Sequence, residues 1–136
     1  MNLVEQLLQA DAKKVEERAT GTIKSKKLAK ILGTEEPVDI QICEIGTRRL
    51  NDILAIQVDK KGNVDLSKSL DSKLLTCVEG IVEPSMKDKD LQKHFHCATP
   101  KDLALALFGF EVTAISDAIC ELSGVTDEDN EEEIKN

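Results

Sequence analysis

Apolar residues near the N-terminus recur at the spacing of an α-helix. Four of them fall on one face of a short helix: Leu3, Val4, Leu7 and Leu8. Asn2 precedes them and belongs to the residue types that cap helix N-termini well. The stretch that follows is almost wholly polar and offers little to bury. We therefore predict an N-terminal amphipathic helix, or arm, over residues 1–20 and a core domain over residues 21–124.

After Pro37 the pattern changes to a period of two. Val38, Ile40 and Ile42 alternate with less apolar residues, which predicts a half-buried strand. A lone strand is not stable in water. We expect this one to pair with residues 22–24.

Helical spacing of apolar residues dominates the rest of the chain. It predicts helices over residues 25–32, 47–58, 66–82, 85–95, 99–108 and 112–122. Thr47, Ser85 and Thr99 are expected to cap three of them, Gly33 to end the first, and Pro84 to stop the third. The predicted fold class is mainly α (α+β), a small irregular helical domain with one short β element.

The segment over residues 103–108 is apolar on nearly every side of its predicted helix. Such a helix is usually interior. Hiding it completely is demanding in a small chain, so a face turned to a partner protein is the alternative. The candidate partner-contact residues are Leu103, Leu107, Phe108 and Phe110, followed by Leu3, Leu7 and Leu8 of the arm.

The amino-acid composition argues against several classes of binding partner. The 136 residues include three Phe and no Trp or Tyr, so aromatic platforms for stacking nucleic-acid bases are nearly absent. The net charge of −8 argues against nucleic acid and anionic membranes as partners. Residues 125–136 hold six acidic side chains and one lysine, with little to bury, which predicts a disordered acidic tail.

Cytoplasmic localisation is expected. No run of about 20 apolar residues is present to span a bilayer, and the N-terminus lacks the pattern of a signal peptide. Four cysteines are widely separated with no C-x-x-C pair. In a reducing compartment we expect them to be small, buried, apolar residues.

No catalytic, cofactor-binding or metal-binding site is predicted. His94, His96 and Cys97 are zinc-ligand types, but on a helix the two histidines point about 200° apart and no second ligand pair follows. The chain has no G-x-S-x-G and no phosphate-binding glycine loop. We therefore predict a protein that is not an enzyme.

Several segments, in order, resemble one protein family. They are the leucine-rich start over residues 3–11, residues 23–33 leading into the strand, residues 59–65, residues 79–85, residues 98–103 and residues 121–124. Together they resemble the XkdN-like phage tail assembly chaperones, named after a component of a defective phage-like element. The resemblance covers most of residues 1–125.

The resemblance implies a function. Such chaperones bind the tape measure protein that sets tail length, keep its apolar helices soluble until tail tube subunits polymerise around it, and are absent from the mature virion. The tape measure protein is therefore the expected partner, with the tail tube protein and self-association left open. The alternative from the residues alone is an unrelated small cytosolic adaptor or regulator that binds another protein.

Overall fold

The computed structural model describes residues 1–125, in which seven α-helices accompany one three-stranded sheet. The helices are α1 (Leu3–Gln9), α2 (Lys26–Leu32), α3 (Thr47–Ala55), α4 (Leu66–Gly80), α5 (Lys89–His94), α6 (Pro100–Phe108) and α7 (Glu111–Leu122). The strands are β1 (Thr20–Ser25), β2 (Val38–Cys43) and β3 (Ile81–Glu83), and a 3-10 helix spans Ala12–Glu16. The predicted mainly helical α+β class is confirmed.

The sheet is antiparallel throughout, with β2 in the centre. Ile23 lies opposite Ile40 and Lys24 lies opposite Asp39, so the predicted pairing of the alternating strand with residues 22–24 is confirmed. Ile40 is fully buried, whereas Asp39 is exposed. Buried and exposed residues alternate along β2 because helices cover only one face of the sheet.

A third strand takes the place of the end of a predicted helix. The helix predicted over residues 66–82 stops at Gly80, and Ile81 pairs with Ile42 instead. The helical prediction for residues 81 and 82 is therefore wrong. The residue before a proline is disfavoured in the α conformation, and Pro84 follows this segment directly. The open edge of β2 supplies the hydrogen-bonding partners that the extended segment needs.

Three predicted helix caps are confirmed. The Asn2 side-chain oxygen accepts a hydrogen bond from the backbone N–H of Glu5 at 2.8 Å. Thr99 Oγ1 accepts from the backbone N–H of Asp102 at 3.1 Å. Gly33 ends α2 with φ of 74°, in the left-handed region where glycine is favoured.

Two other predicted caps are wrong. The helix α3 begins at Thr47, but the capping position is Gly46, which makes no side-chain hydrogen bond. The helix α5 is capped by Asp88 rather than Ser85, because the Asp88 carboxylate accepts from the Leu91 N–H at 3.0 Å. Ser85 Oγ accepts from a backbone N–H two residues later and so belongs to the preceding turn.

The core lies between the inner face of the sheet and the packed helices α4, α6 and α7. Its completely buried side chains include Ile40, Ile53, Cys77, Met86, Leu103, Phe108 and Ile119. α4 and α7 are in close contact at Gly80, where a Cβ atom would lie 2.5 Å from Ile119 Cγ2. Glycine at this position therefore allows the two helices to pack.

The first residues of the chain bury nothing. Neither α1 nor the 3-10 helix contains a buried residue. Contact with the core domain begins at Arg18, whose guanidinium donates to the Glu44 carbonyl oxygen at 3.5 Å, and at Ala19, whose N–H donates to Glu44 Oε1 at 2.7 Å. The division into an arm and a core domain stays a prediction. Of the predicted acidic tail, Val125 packs against the core and residues 126–136 lie outside the described residues.

Candidate interaction surface

Three of the candidate partner-contact residues lie on α6, and all three are core residues. Leu103 and Phe108 have no exposed surface, and Leu107 is 3% exposed. α4 and α7 pack against this helix and α2 lies beside it. In this conformation these side chains stabilise the fold and are not available to a partner, which fits the core interpretation of the apolar run.

Phe110 has the opposite environment, although it is only two residues away from Phe108. It is 102% exposed, as open as a side chain in an extended peptide. Gly109 ends α6 with φ of 54°, and the chain then turns sharply into α7. Because of this reversal, the apolar run contributes its last aromatic ring to the surface rather than to the core.

α2 lies directly beside this turn. The Glu111 carboxylate accepts hydrogen bonds from the Ser25 hydroxyl at 2.6 Å and from the Lys26 N–H at 2.9 Å. The Lys27 ammonium lies 2.9 Å from where a Cβ atom of Gly109 would be. The start of α2 is therefore held against the start of α7.

Further exposed apolar residues lie about one helical turn from these contacts. Ile31, 42% exposed, follows Lys27 by one turn of α2, and Leu105, 43% exposed, precedes Gly109 by one turn of α6. Leu32 is 64% exposed. We call this region the Phe110 surface. It comprises Phe110 and the exposed apolar residues of the neighbouring turns, Ile31 and Leu105, with Lys27 beside Gly109.

α1 carries the second group of candidate residues. Leu3, Leu7 and Leu8 are 68%, 64% and 81% exposed, and Val4 on the same face is 65% exposed. The helix therefore presents an apolar face with no covering in the described part of the chain. Unlike α6, it leaves all of its predicted contact residues accessible.

Sequence reasoning missed a third apolar surface, at the junction of α3 and α4. Val58 and Val64 form an isolated antiparallel bridge across a turn in which Asp59 Oδ1 accepts from two backbone N–H groups. Leu66, the first residue of α4, is 83% exposed. The surface comprises Ile56, Val58, Val64, Leu66 and Leu70. The signal in the sequence is the cluster of apolar residues around a polar turn, which helical spacing explains equally well as the ends of two helices.

The comparison with protein families decides what kind of protein carries these surfaces. The family model of the phage XkdN-like tail assembly chaperone proteins matches residues 4–135. The chain belongs to this family. The resemblance inferred from the sequence is thus confirmed, and the match includes most of α1 as well as the sheet and the packed helices.

A solved structure supports the fold of this tail assembly chaperone. The crystal structure of the protein yqbn superimposes with a TM-score of 0.55 at 17% sequence identity, over 79% of this chain and 87% of that one. At this level of identity the similarity concerns the fold alone. The comparison with curated proteins finds no match.

His94 is the last residue of α5, and His96 lies in the short turn that follows. The His94 ring contacts the Phe95 ring edge-on, with centroids 4.9 Å apart. His96 has φ of 57°, and the Cys97 thiol donates to the Phe95 carbonyl oxygen at 3.4 Å. Among residues 1–125, no three His, Cys, Asp or Glu side chains are placed to hold a metal ion together.

Within residues 1–125 of the chaperone, no single helix has the length and apolar character to cross a bilayer. α6 and α7 meet these criteria of length and composition only as a pair, and a bend of 113° separates them.

Proposed function

We propose that this tail assembly chaperone binds the tape measure protein in the host cytoplasm. It keeps the apolar helices of that protein soluble until tail tube subunits polymerise around them, and it is absent from the mature virion. The tail tube protein is a second candidate partner. No catalytic step is part of the proposal.

The observation that carries the proposal is the exposed apolar face of α1. Leu3, Leu7 and Leu8 are each more than three-fifths exposed and lie at helical spacing. Apolar faces of this kind bind partner helices through side chains one turn apart. Phe110 adds a fully exposed aromatic ring, and aromatic residues are frequent among the side chains that dominate binding energy.

Family membership supports the choice of partner. A tail assembly chaperone acts on tail proteins, and a tape measure protein without its tube exposes long apolar stripes. One chain of 15.0 kDa is small beside such a partner. We therefore expect several chaperone copies per tape measure protein.

Co-expression tests the proposal. The tape measure protein of the same phage should aggregate when expressed alone and should stay soluble with the chaperone. The two should co-purify with more than one chaperone per tape measure protein. The contact should persist in high salt, because apolar contacts are not screened as exposed charge pairs are. If the wild-type pair neither co-purifies nor improves solubility, the proposal is wrong and an unrelated adaptor function becomes the better hypothesis.

Variants of exposed residues test which surface binds the partner. Replacing Leu7 and Leu8 together by serine, or Phe110 by serine, should reduce co-purification without changing the melting temperature. Val15→Ser is the matched control, since Val15 is 90% exposed but lies on the 3-10 helix rather than on α1. Equal loss of binding in the control would assign the contact to the whole arm rather than to the face of α1.

A further inference from the structure

The chain enters and leaves the core domain at the same loop. On the entering side, the Ala19 N–H donates to Glu44 Oε1 at 2.7 Å, and the Glu44 N–H donates to the Ala19 carbonyl oxygen at 2.8 Å. On the leaving side, the Ile45 N–H donates to Ser123 Oγ at 3.0 Å, directly after the end of α7. The arm and the residues after Val125 therefore start beside each other. We call residues 18–19, 44–46 and 123–125 the terminal corner.

The arginines of the chain gather at this corner. There are three of them, Arg18, Arg48 and Arg49. One guanidinium nitrogen of Arg18 lies 3.3 Å from where a Cβ atom of Gly46 would be. Arg48 follows Gly46 by two residues, in the first turn of α3, and its side chain is exposed. Arginine is the side chain best suited to pair with carboxylates, because its planar guanidinium donates two parallel hydrogen bonds.

Two of the three guanidinium groups have no carboxylate partner within residues 1–125. Arg49 pairs with Glu79 at 3.3 Å. Arg18 donates only to the Glu44 carbonyl oxygen, at 3.5 Å, and Arg48 forms no ion pair or hydrogen bond with a described residue. Arg18 and Arg48 are therefore the cations of the corner that can still bind an acidic group.

The acidic side chains of the same region leave these two charges unpaired. Glu17 pairs with Lys14 at 3.2 Å, and the Glu44 carboxylate accepts from the Ala19 N–H. Asp52 follows Arg48 by one turn of α3 and is exposed, but the two do not form an ion pair in this structure. A carboxylate from another segment can therefore approach the two guanidinium groups.

The residues that follow Val125 carry the opposite charge. Six acidic side chains lie within residues 127–133, and the family match extends to residue 135, so it includes them. An extended chain spans about 3.4 Å per residue, so Asp127, Glu128 and Asp129 can reach about 7–14 Å from Val125. Covalent attachment at the corner gives them a high effective concentration there. Closing a short loop also costs less entropy than closing a long one.

We propose that Asp127, Glu128 and Asp129 pair with Arg18 and Arg48, so that the acidic tail binds the terminal corner of its own chain. The attachment of the tail beside the two arginines selects it over an acidic segment from solution. The contact consists of charge and hydrogen bonds, so it needs no apolar side chain of the tail. Because Arg18 is the last residue before Ala19, the contact also ties the end of the arm to the core domain. It does not depend on tape measure binding.

Side-chain NMR of the full chain tests the contact, because three arginines give three Nε–Hε signals. The signals of Arg18 and Arg48 should shift between low salt and about 1 M salt, where the screening length is only about 3 Å. Replacing Asp127, Glu128 and Asp129 together by Asn, Gln and Asn should abolish most of this shift. The matched control replaces Glu131, Glu132 and Glu133 by glutamine. It removes the same number of charges and should leave the shift in place.

The tail should respond to the arginines in turn. Backbone amide signals of residues 127–129 should move in Arg18→Gln and in Arg48→Gln. They should not move in Arg49→Gln, because Arg49 is paired with Glu79. All three side chains are exposed, and unchanged circular dichroism would show that the variants still fold. The wild-type signals should be independent of protein concentration, since the contact lies within one chain.

The proposal is wrong if the Arg18 and Arg48 signals are the same in wild type and in the variant of residues 127–129. An equal effect of the control variant would also overturn it, by showing a general influence of net charge. Signals that change on dilution would assign the acidic segment to a second copy of the chain. The tape measure protein is absent from all of these measurements, so their failure leaves the proposed function untouched.

Discussion

Ser25 and Glu111, 86 positions apart in the chain, share a hydrogen bond of 2.6 Å between the serine hydroxyl and the carboxylate. The same hydroxyl accepts from the Leu28 N–H at 3.1 Å and so caps α2. The carboxylate also accepts from the Lys26 N–H at 2.9 Å. The first N–H groups of a helix have no acceptor within that helix. The Glu111 carboxylate of α7 accepts from such a group of α2, so it joins the beginnings of the two helices.

Replacing Ser25 by alanine should lower the free energy of unfolding by about 2 kcal/mol. The change removes a buried helix cap and a half-buried hydrogen bond to a charged group, and Ser25 itself is 0% exposed. Chemical denaturation would measure the loss. Ser67→Ala is the control, because Ser67 is an exposed residue in the first turn of α4, and its effect should be much smaller.

Gly80→Ala should destabilise the fold by about 1–3 kcal/mol, even though alanine is the better helix former. The added Cβ atom would lie 2.5 Å from Ile119 Cγ2, in the close contact between α4 and α7. Ile119→Ala should itself cost about 2–5 kcal/mol by leaving a cavity. The double variant should lose less than the sum of both, because each change removes the cause of the other's effect. Additive losses would show that the helices separate instead.

The sequence predicts those parts of the fold where local pattern and burial agree. The alternation of Val38, Ile40 and Ile42 has a direct cause in the one-sided sheet, and Gly33 ends α2 at the left-handed conformation it favours. β3 could not be predicted in this way. Three residues are too few to show a period, and the helical spacing of Ile81 and Val82 fits α4 equally well.

The exposure of the candidate contact residues could not be predicted from the local pattern either. Phe108 and Phe110 belong to one apolar run, yet one is completely buried and the other completely exposed. The difference arises from the turn at Gly109 and from which helices cover α6, and both are properties of the tertiary structure. For α1, in contrast, the polar stretch after the helix offers little to bury, and no residue of α1 is buried in the structure.

Cys77 should make the fold less stable at high pH. Burial, with a smaller effect of Cys120 nearby, raises the pKa of the Cys77 thiol from 9.0 to about 12. Between these two values the unfolded chain loses the proton and the folded chain keeps it, so the free energy of unfolding falls as pH rises through this window. Denaturation of wild type and Cys77→Ala from pH 8 upward would measure it. The slope should be smaller in the variant, and equal slopes would contradict the prediction.

Substitutions at Leu107 and at Phe110 should have different effects, the first on stability and the second on partner binding. Leu107→Ala should cost about 2–5 kcal/mol, because the side chain is 3% exposed and its loss leaves a cavity in the core. Phe110→Ser should change stability by less than about 0.5 kcal/mol, since an exposed side chain with no core contacts contributes little. Under conditions where both variants are folded, only Phe110→Ser should reduce co-purification with the tape measure protein. Thermal denaturation and pull-down at the same temperature would supply both measurements. If folded Leu107→Ala loses the partner while Phe110→Ser keeps it, α6 has to open during binding, and the surface proposed around Phe110 is the wrong one.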